Sequence, residues 1–445
     1  MATHLYLAPA AAGKTRYLVD HVRRVAAAQT AAVRVLVPTG LQARAWRRRL
    51  ADAGGALGVR VQTFDQLYAD ILLAAGQPAI ELSEPVQYRL LQAIVDEAAL
   101  IYYASLTHRP GFIQLLQQLI GELKAARIHP DRFALAVTAL GSEPRLAELA
   151  QIYTTYQQRL QARQWADRAG RGWLSVEILE TAQPLPHLDR TLLAVDGFDN
   201  FTEVQIGLLS ALAARLDSLI ITLTGTPSAA RPLVHRRFNR TRRRLEQALH
   251  VQAAPLPAAV PPAPPVELPP VLAHLEANLF ETGSASQPAA GRVTLIEAPD
   301  RAAEVRAALR WLKTRQVREQ VPPAQMALLA RSIPPYRPFI SQIAREFGLP
   351  VHIVEGEPLR SNPAIAALLD LLRLMLPAAG SAQAALPYRR VIEAWRSPYF
   401  DWSARPTATA AESIGIEPGD ANRLQAVARS AQVIGGDSQW QEALA

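Results

Sequence analysis

The stretch from His4 to Thr15 constrains this chain more than any other. His4-Leu5-Tyr6-Leu7-Ala8 is a short apolar run, Pro9 to Gly13 reads as a loop, and a helix is expected from about Lys14 to Ala27. A strand, a loop and a helix in that order, with Gly13-Lys14-Thr15 at the turn, are the setting of a phosphate-binding loop, or P-loop. The unpaired N–H groups and the positive end of a helix start suit an anion. A lysine at this position reaches the β- and γ-phosphates, and the following hydroxyl ligates Mg²⁺. Ala12, Gly13, Lys14 and Thr15 are therefore candidate nucleotide-binding residues, with ATP and Mg²⁺ as the expected ligands. Ala8 stands where the motif has its first glycine, which predicts a strained or shifted turn. The competing reading is a chance Gly-Lys-Thr at an ordinary helix start.

The next segments have the rhythm of a doubly wound α/β sheet. Val33 to Pro38 is a continuous apolar run of the kind found in buried parallel strands. Thr39 caps a helix from about Gln42 to Ala53. Val59 to Thr63 is a third strand, leading into a helix from Phe64 to Ala74. From Ser83 to about Leu179 the pattern is helical, as an insertion into the sheet domain. Strands resume at Arg190–Asp196 and Ser218–Leu223, with a helix from Glu203 to Leu216 between them and a basic helix from Arg236 to Leu249 after them. Prolines crowd Ala253 to Pro270, which reads as a linker. A second α/β unit is expected from Arg292, with strands at Val293–Glu297, Met326–Ala330 and Val351–Val354 and helices at Ala302–Arg315 and Tyr336–Phe347. The expected domains are residues 1–82 with 184–250, an insertion at 83–183, a linker at 251–291, and an incomplete second domain at 292–445. The 445 residues allow several cores.

Leu192-Leu193-Ala194-Val195-Asp196 is an apolar strand ending in a carboxylate. Downstream of a P-loop this is the pattern that holds Mg²⁺ through its water shell, with Asp196 as the metal-side residue. The alternative is an ordinary strand end with a capping aspartate. A motor ATPase of this kind needs a second carboxylate next in line to orient and deprotonate the attacking water. Here that position is Gly197, and Asp199 is out of register. No catalytic residue is assigned.

The formal net charge is +8 and the pI about 10.0, nearly all of the excess being arginine. Such a balance favours a polyanion, nucleic acid first. Arg236, Arg240 and Arg243 share a helical face and are candidate phosphate contacts, against the alternative of a solvated charged helix. The chain has no cysteine, which excludes disulfides, zinc fingers and iron–sulfur ligation within it. Met1 to Lys14 lacks the pattern of a signal peptide. The apolar run Ala364 to Leu376 is too short to span a bilayer and is interrupted by Asp370 and Arg373. The expectation is a cytoplasmic protein with no membrane partner.

Several segments together resemble one family. Val195-Asp196-Gly197-Phe198-Asp199-Asn200-Phe201-Thr202 is similar to the V-D-G-F-x-x-F-T signature of AddB/RexB subunits of bacterial ATP-dependent helicase–nucleases. Val37-Pro38-Thr39 and Gln62-Thr63-Phe64-Asp65-Gln66-Leu67 resemble superfamily 1 helicase segments. His274-Leu275-Glu276-Ala277-Asn278-Leu279-Phe280 resembles the piece before the second helicase-like domain, and Glu304 in its A-x-E-V-R pattern the opening of that domain. Ala330-Arg331 with Tyr336 resembles its fourth motif and Gly348-Leu349-Pro350-Val351 its strand entry, and Ser397-Pro398-Tyr399-Phe400 is similar to a segment of the AddB/RexB family. The resemblance implies two P-loop helicase-like (RecA-like) α/β domains with a helical insertion in the first. It further implies DNA contacts at Thr39, Thr63 and Phe64, a γ-phosphate contact from Arg331, and a role in double-strand-break repair beside an AddA-like motor subunit, on single- or double-stranded DNA. Members of this family are usually far longer and end in a nuclease domain with a cysteine-held iron–sulfur cluster. Neither feature is present here, so nuclease activity is not carried over, and a fragment or a truncated product is expected. The other readings are a self-sufficient ATP-dependent helicase, against which Gly197 argues, and a nonenzymatic DNA-binding scaffold with a vestigial P-loop, which Ala8 favours.

Overall fold

A computed structural model describes residues 2–181, 184–185, 188–226, 231, 233–257, 269–289, 291–354, 356–374, 386–400 and 419–445. The chain forms two compact units, residues 1–293 and 294–445.

The first unit is built on a six-stranded sheet. Its strands are β1 (Ala2–Ala8), β2 (Ala32–Leu36), β3 (Arg60–Gln62), β6 (Thr191–Val195), β7 (Ser218–Thr224) and β8 (Ala254–Pro255), in the spatial order β3-β2-β6-β7-β1-β8 and all parallel. The α/β parallel sheet expected from the alternation is present. Its central strands are largely apolar because both faces are covered. Alternate residues point to opposite sides. Leu192, Ala194 and Ile220 meet Leu18 and Val22 of α1 (Lys14–Ala28) and Trp46 and Leu50 of α2 (Gly40–Asp52). Leu193, Val195, Leu219 and Ile221 share the opposite core with α3 (Phe64–Ala74), α9 (Glu203–Ala213) and α10 (Arg236–Leu249).

Between α3 and β6 the chain makes α4 (Glu84–Glu97), α5 (Pro110–Ala125), α6 (Pro130–Ala139), α7 (Pro144–Ala162) and α8 (Arg168–Glu180). This stretch is not purely helical. Trp165–Ala166 (β5) pairs in parallel with Ile80–Glu81 (β4), so the chain is clasped where it leaves the sheet domain and where it returns. Two-residue strands carry too little periodicity to be seen in sequence. The interior of the insertion is continuous with the sheet's core through Leu91, Ile113, Tyr156 and Trp173.

The proline-dense stretch begins inside the fold: β8 adds to the sheet edge at Tyr6 and Leu7. Most of that stretch, 258–268, lies outside the described residues. Beyond it, α11 (Pro270–Asn278) is tied back to the unit by Arg231. The Arg231 guanidinium donates to the carbonyls of Glu276 and Leu279 and pairs with Glu281.

The second unit contains α12 (Arg301–Arg318), α13 (Arg337–Glu346), α14 (Pro363–Leu374), α15 (Tyr388–Arg396), α16 (Asp420–Ser430) and α17 (Asp437–Leu444). Val305 and Leu309 pack on Ile340 and Ile343 in one small core, and Ile392, Leu424, Val433 and Trp440 form another. The strands expected at Val293–Glu297, Met326–Ala330 and Val351–Val354 are corrected: among the described residues these segments join no ladder. An apolar run shows that a segment could be buried, whereas a strand also needs neighbours in register. Here Leu295 and Leu329 are almost fully exposed. No helix among the described residues is long and apolar enough to cross a membrane.

Candidate functional site

All six strands run the same way, so the ends of β1, β2, β3, β6 and β7 emerge at one edge of the sheet, which is where open α/β folds bind ligands. The loop after β1 carries Lys14 and Thr15, and the end of β6 carries Asp196. The structure brings these three together. The Thr15 hydroxyl donates to Asp196 Oδ2 at 2.7 Å. Lys14 Nζ turns back onto the loop, donating to the carbonyl oxygens of Ala8 at 3.0 Å and Pro9 at 2.6 Å. Burial lowers the Lys14 pKa below the ordinary lysine value, while Asp196 and Glu276 pull it the other way.

The loop itself is open. Gly13 caps α1 at φ +83°, and a Cβ there would meet nothing within 4 Å. No side chain caps this helix and no acidic residue lies in its first turn, unlike α3 and α9, whose starts are closed by Thr63–Gln66 and Thr202–Gln205 capping boxes. Its first N–H groups, which have no intrahelical partner, are therefore not taken up by a capping side chain or by a carboxylate of the helix's own first turn. Ala8 does not strain the turn. It is the last residue of β1, paired with Thr224 and extended like the rest of the strand. Besides Gly13, Ala11 of this loop is left-handed, at φ 58°, and such backbone in an alanine costs roughly 1–2 kcal/mol.

Asp196 is 4% exposed and accepts three hydrogen bonds from the protein. Thr222 donates to its Oδ1 at 2.8 Å, and Trp46 Nε1 donates to its Oδ2 at 2.9 Å beside Thr15. Neither Trp46 nor Thr222 was evident from the sequence. The available signals were a single hydroxyl inside the otherwise apolar strand Ser218–Leu223, and a tryptophan on the buried face of α2, whose indole N–H needs an acceptor when buried. Among the described residues no cluster of three or more His, Asp or Glu could hold a metal unaided. One carboxylate and one hydroxyl suit a divalent ion only when phosphate oxygens and water complete its shell.

The position after Asp196 holds no base. Gly197 adopts φ +82°, and a Cβ there would sit 3.3 Å from the side-chain amide of Gln42. Asp199 is ion-paired with Arg237 at 3.0 Å.

Of the residues read as DNA contacts, Thr39 and Thr63 lie at the same sheet edge, where they cap α2 and α3. Phe64 is corrected. It is 5% exposed, with its ring against Phe198 and Phe201 at centroid distances of 5.3 and 6.2 Å, so it packs the core and presents no face to a base. On α10, Arg237 pairs with Asp199, and Arg244 pairs with Glu203 and donates to the Phe201 carbonyl. Arg236, Arg240 and Arg243 are exposed along the other side, with no ion pair among the described residues. Arg331 belongs to the second unit, where it lines a cavity of about 560 Å³ with Arg301, Glu304 and Tyr336.

The family model described as "ADDB, N-terminal" matches residues 5–276, more than half of the chain. The chain belongs to the AddB N-terminal family. The resemblance in the residues around Asp196 is thereby borne out. Similar proteins agree. The B subunit of the ATP-dependent helicase/deoxyribonuclease of Moorella thermoacetica is 29% identical over 409 residues, covering 85% of this chain and 34% of that protein. Its namesakes from Symbiobacterium thermophilum and Pelotomaculum thermopropionicum are 25% and 24% identical, over 82% and 85% of this chain and 33% and 34% of theirs. This AddB-family chain thus spans about a third of the length of the relatives it matches.

Proposed function

We propose that this chain is an ATP-binding, DNA-binding part of a helicase–nuclease used in double-strand-break repair, acting beside a separate AddA-like motor subunit and itself inactive or weak as a motor. The observation that carries the reading is the meeting of Lys14, Thr15 and Asp196 at an open helix start, followed by Gly197. Lys14 would swing from the Ala8 and Pro9 carbonyls to phosphate oxygens, and the loop N–H groups would hold the rest of the phosphate chain. Thr15 and Asp196 would hold Mg²⁺, which neutralises phosphate charge. Hydrolysis needs a base that Gly197 cannot supply, and the Gln42 amide beside it is not one. The test is titration of the chain with a fluorescent ATP analogue and Mg²⁺, followed by phosphate release with single-stranded DNA present. Saturable binding without turnover is expected. DNA-stimulated turnover would make the chain a motor, and no binding would leave a scaffold.

Supplying the missing carboxylate should not convert it. Gly197→Glu places a side chain at φ +82°, which costs about 1–2 kcal/mol, against Gln42. The expected result is a less stable protein with no gain in phosphate release; a gain of tenfold or more would show that the base is all that is lacking.

The exposed face of α10 would contact the DNA backbone. Reversing Arg240 and Arg243 to glutamate should weaken single-stranded DNA binding at least tenfold. It should also flatten the slope of log affinity against log salt by about 1.4, roughly 0.7 for each phosphate no longer neutralised. Titrations at several salt concentrations check this, and an unchanged slope would assign the helix to solvent.

A further inference from the structure

The Asp196 carboxylate offers about four acceptor sites, and the protein's own donors take three. Thr222 holds Oδ1 at 2.8 Å, and Thr15 and Trp46 share Oδ2 at 2.7 and 2.9 Å. Two of these donors belong to the sheet edge and the P-loop. The third comes from a different element, α2, across 150 residues of sequence. Trp46 is 2% exposed and its ring is packed among Val33, Val35, Leu50 and Val61, so the indole has no freedom to leave the carboxylate. One turn earlier on α2, Gln42 lies against Gly197, the next residue of the same strand end. The helix therefore braces two consecutive residues at the point where a metal would sit.

We propose that Trp46 is a positioning residue: its indole N–H fixes the Asp196 carboxylate in one orientation with a single acceptor site free, restricting it to one hydrogen bond with a metal-bound water. This rests on the nucleotide-binding reading and deepens it. A carboxylate held this way suits Mg²⁺, which sheds water reluctantly and is bound through its hydration shell. Freed of the indole, the carboxylate gains a second open site and can turn, so the metal-dependent part of nucleotide affinity falls. The part supplied by Lys14 and the loop N–H groups does not involve Trp46 and stays.

The experiment compares the chain with Trp46→Phe, which keeps an aromatic ring in the core and removes the donor. A fluorescent ATP analogue is titrated in Mg²⁺ and again in EDTA. The expected result is that the ratio of the two affinities drops about tenfold in the variant, the lower end of what loss of an outer partner of a metal-binding group produces, while affinity in EDTA stays within about twofold. An unchanged ratio overturns the proposal and leaves the nucleotide reading standing. An equal loss in both conditions overturns it too, because a packing role would weaken every interaction alike. A parent chain that binds in neither condition overturns both. Since Trp46→Phe could misfold, the unsubstituted chain is also labelled with 5-fluorotryptophan. Its seven tryptophans give separate fluorine resonances, and the one displaced by Asp196→Asn is expected to move when Mg²⁺ is added to the nucleotide-loaded protein. No movement counts against the role.

Discussion

Lys14→Ala should weaken ATP binding by at least about a hundredfold and leave folding nearly untouched. In the free chain the ammonium donates to the Ala8 and Pro9 carbonyls, and these lie at an open loop where water can replace it. Facing phosphate, the same group would make charge-assisted bonds worth about 1.5–3 kcal/mol each, and two of them exceed the roughly 2.7 kcal/mol that a hundredfold requires. The pH dependence has a definite sign. Burial lowers the Lys14 pKa, so as pH rises the free chain loses this proton before an unfolded lysine, at about 10.4, would. Bound phosphate favours the ammonium. Binding should therefore take up a proton in the window between the lowered value of the free chain and the higher value of the phosphate-bound one, and affinity should fall as pH rises through it. Calorimetric titration in buffers of different ionisation enthalpy reads the uptake directly. Retained binding in Lys14→Ala would mean that the nucleotide sits elsewhere.

Lys124→Met should cost about 3–5 kcal/mol of stability, the largest loss expected from any single substitution considered. Lys124 is fully buried in the helical insertion, 2.7 Å from Asp167 Oδ2. The same carboxylate accepts from the Tyr156 hydroxyl at 2.8 Å and, as the cap of α8, from the Gly170 N–H at 2.6 Å. Lys124 Nζ also lies over the rings of Tyr156 and Trp173. Burial lowers the lysine's pKa, with Asp167 opposing. Methionine fills the space but strands a buried carboxylate among neutral donors. Adding Asp167→Asn removes that charge, so the double variant should recover part of the loss. Urea unfolding followed by tryptophan fluorescence measures all three. If Lys124→Met costs under 1 kcal/mol, the pair is either hydrated or unimportant to the fold.

These two lysines also show how much was legible in the sequence. The chain has only three lysines among 47 basic residues. Lys14 was conspicuous because its meaning is local: the strand, loop and helix that interpret it are contiguous. Lys124 was invisible because its partner is 43 positions away and the periodicity around it is that of any amphipathic helix. The same division runs through the site. Asp196 could be read from the strand it ends, whereas Trp46 and Thr222 acquire their roles only when β7, α2 and β6 come together. The parallel sheet was legible since burial on both faces writes itself as unbroken apolar runs. In the second unit similar runs at 293–297 and 326–330 form no ladder. Phe64 misled for a related reason: an aromatic after a strand fits a stacking platform and a core plug equally well, and only the neighbouring Phe198 and Phe201 decide.

The order of the sheet has one more consequence. Its longest strands are inside, and its two borders are a three-residue strand and a two-residue strand. One border carries the exposed Arg60, and the other ends in Pro255, which has no N–H to give. Sheets with long, flat, unprotected margins recruit other sheets and polymerise. Here the two outermost strands are short, and each carries a feature that discourages an incoming strand, a charged side chain on one and a missing N–H on the other.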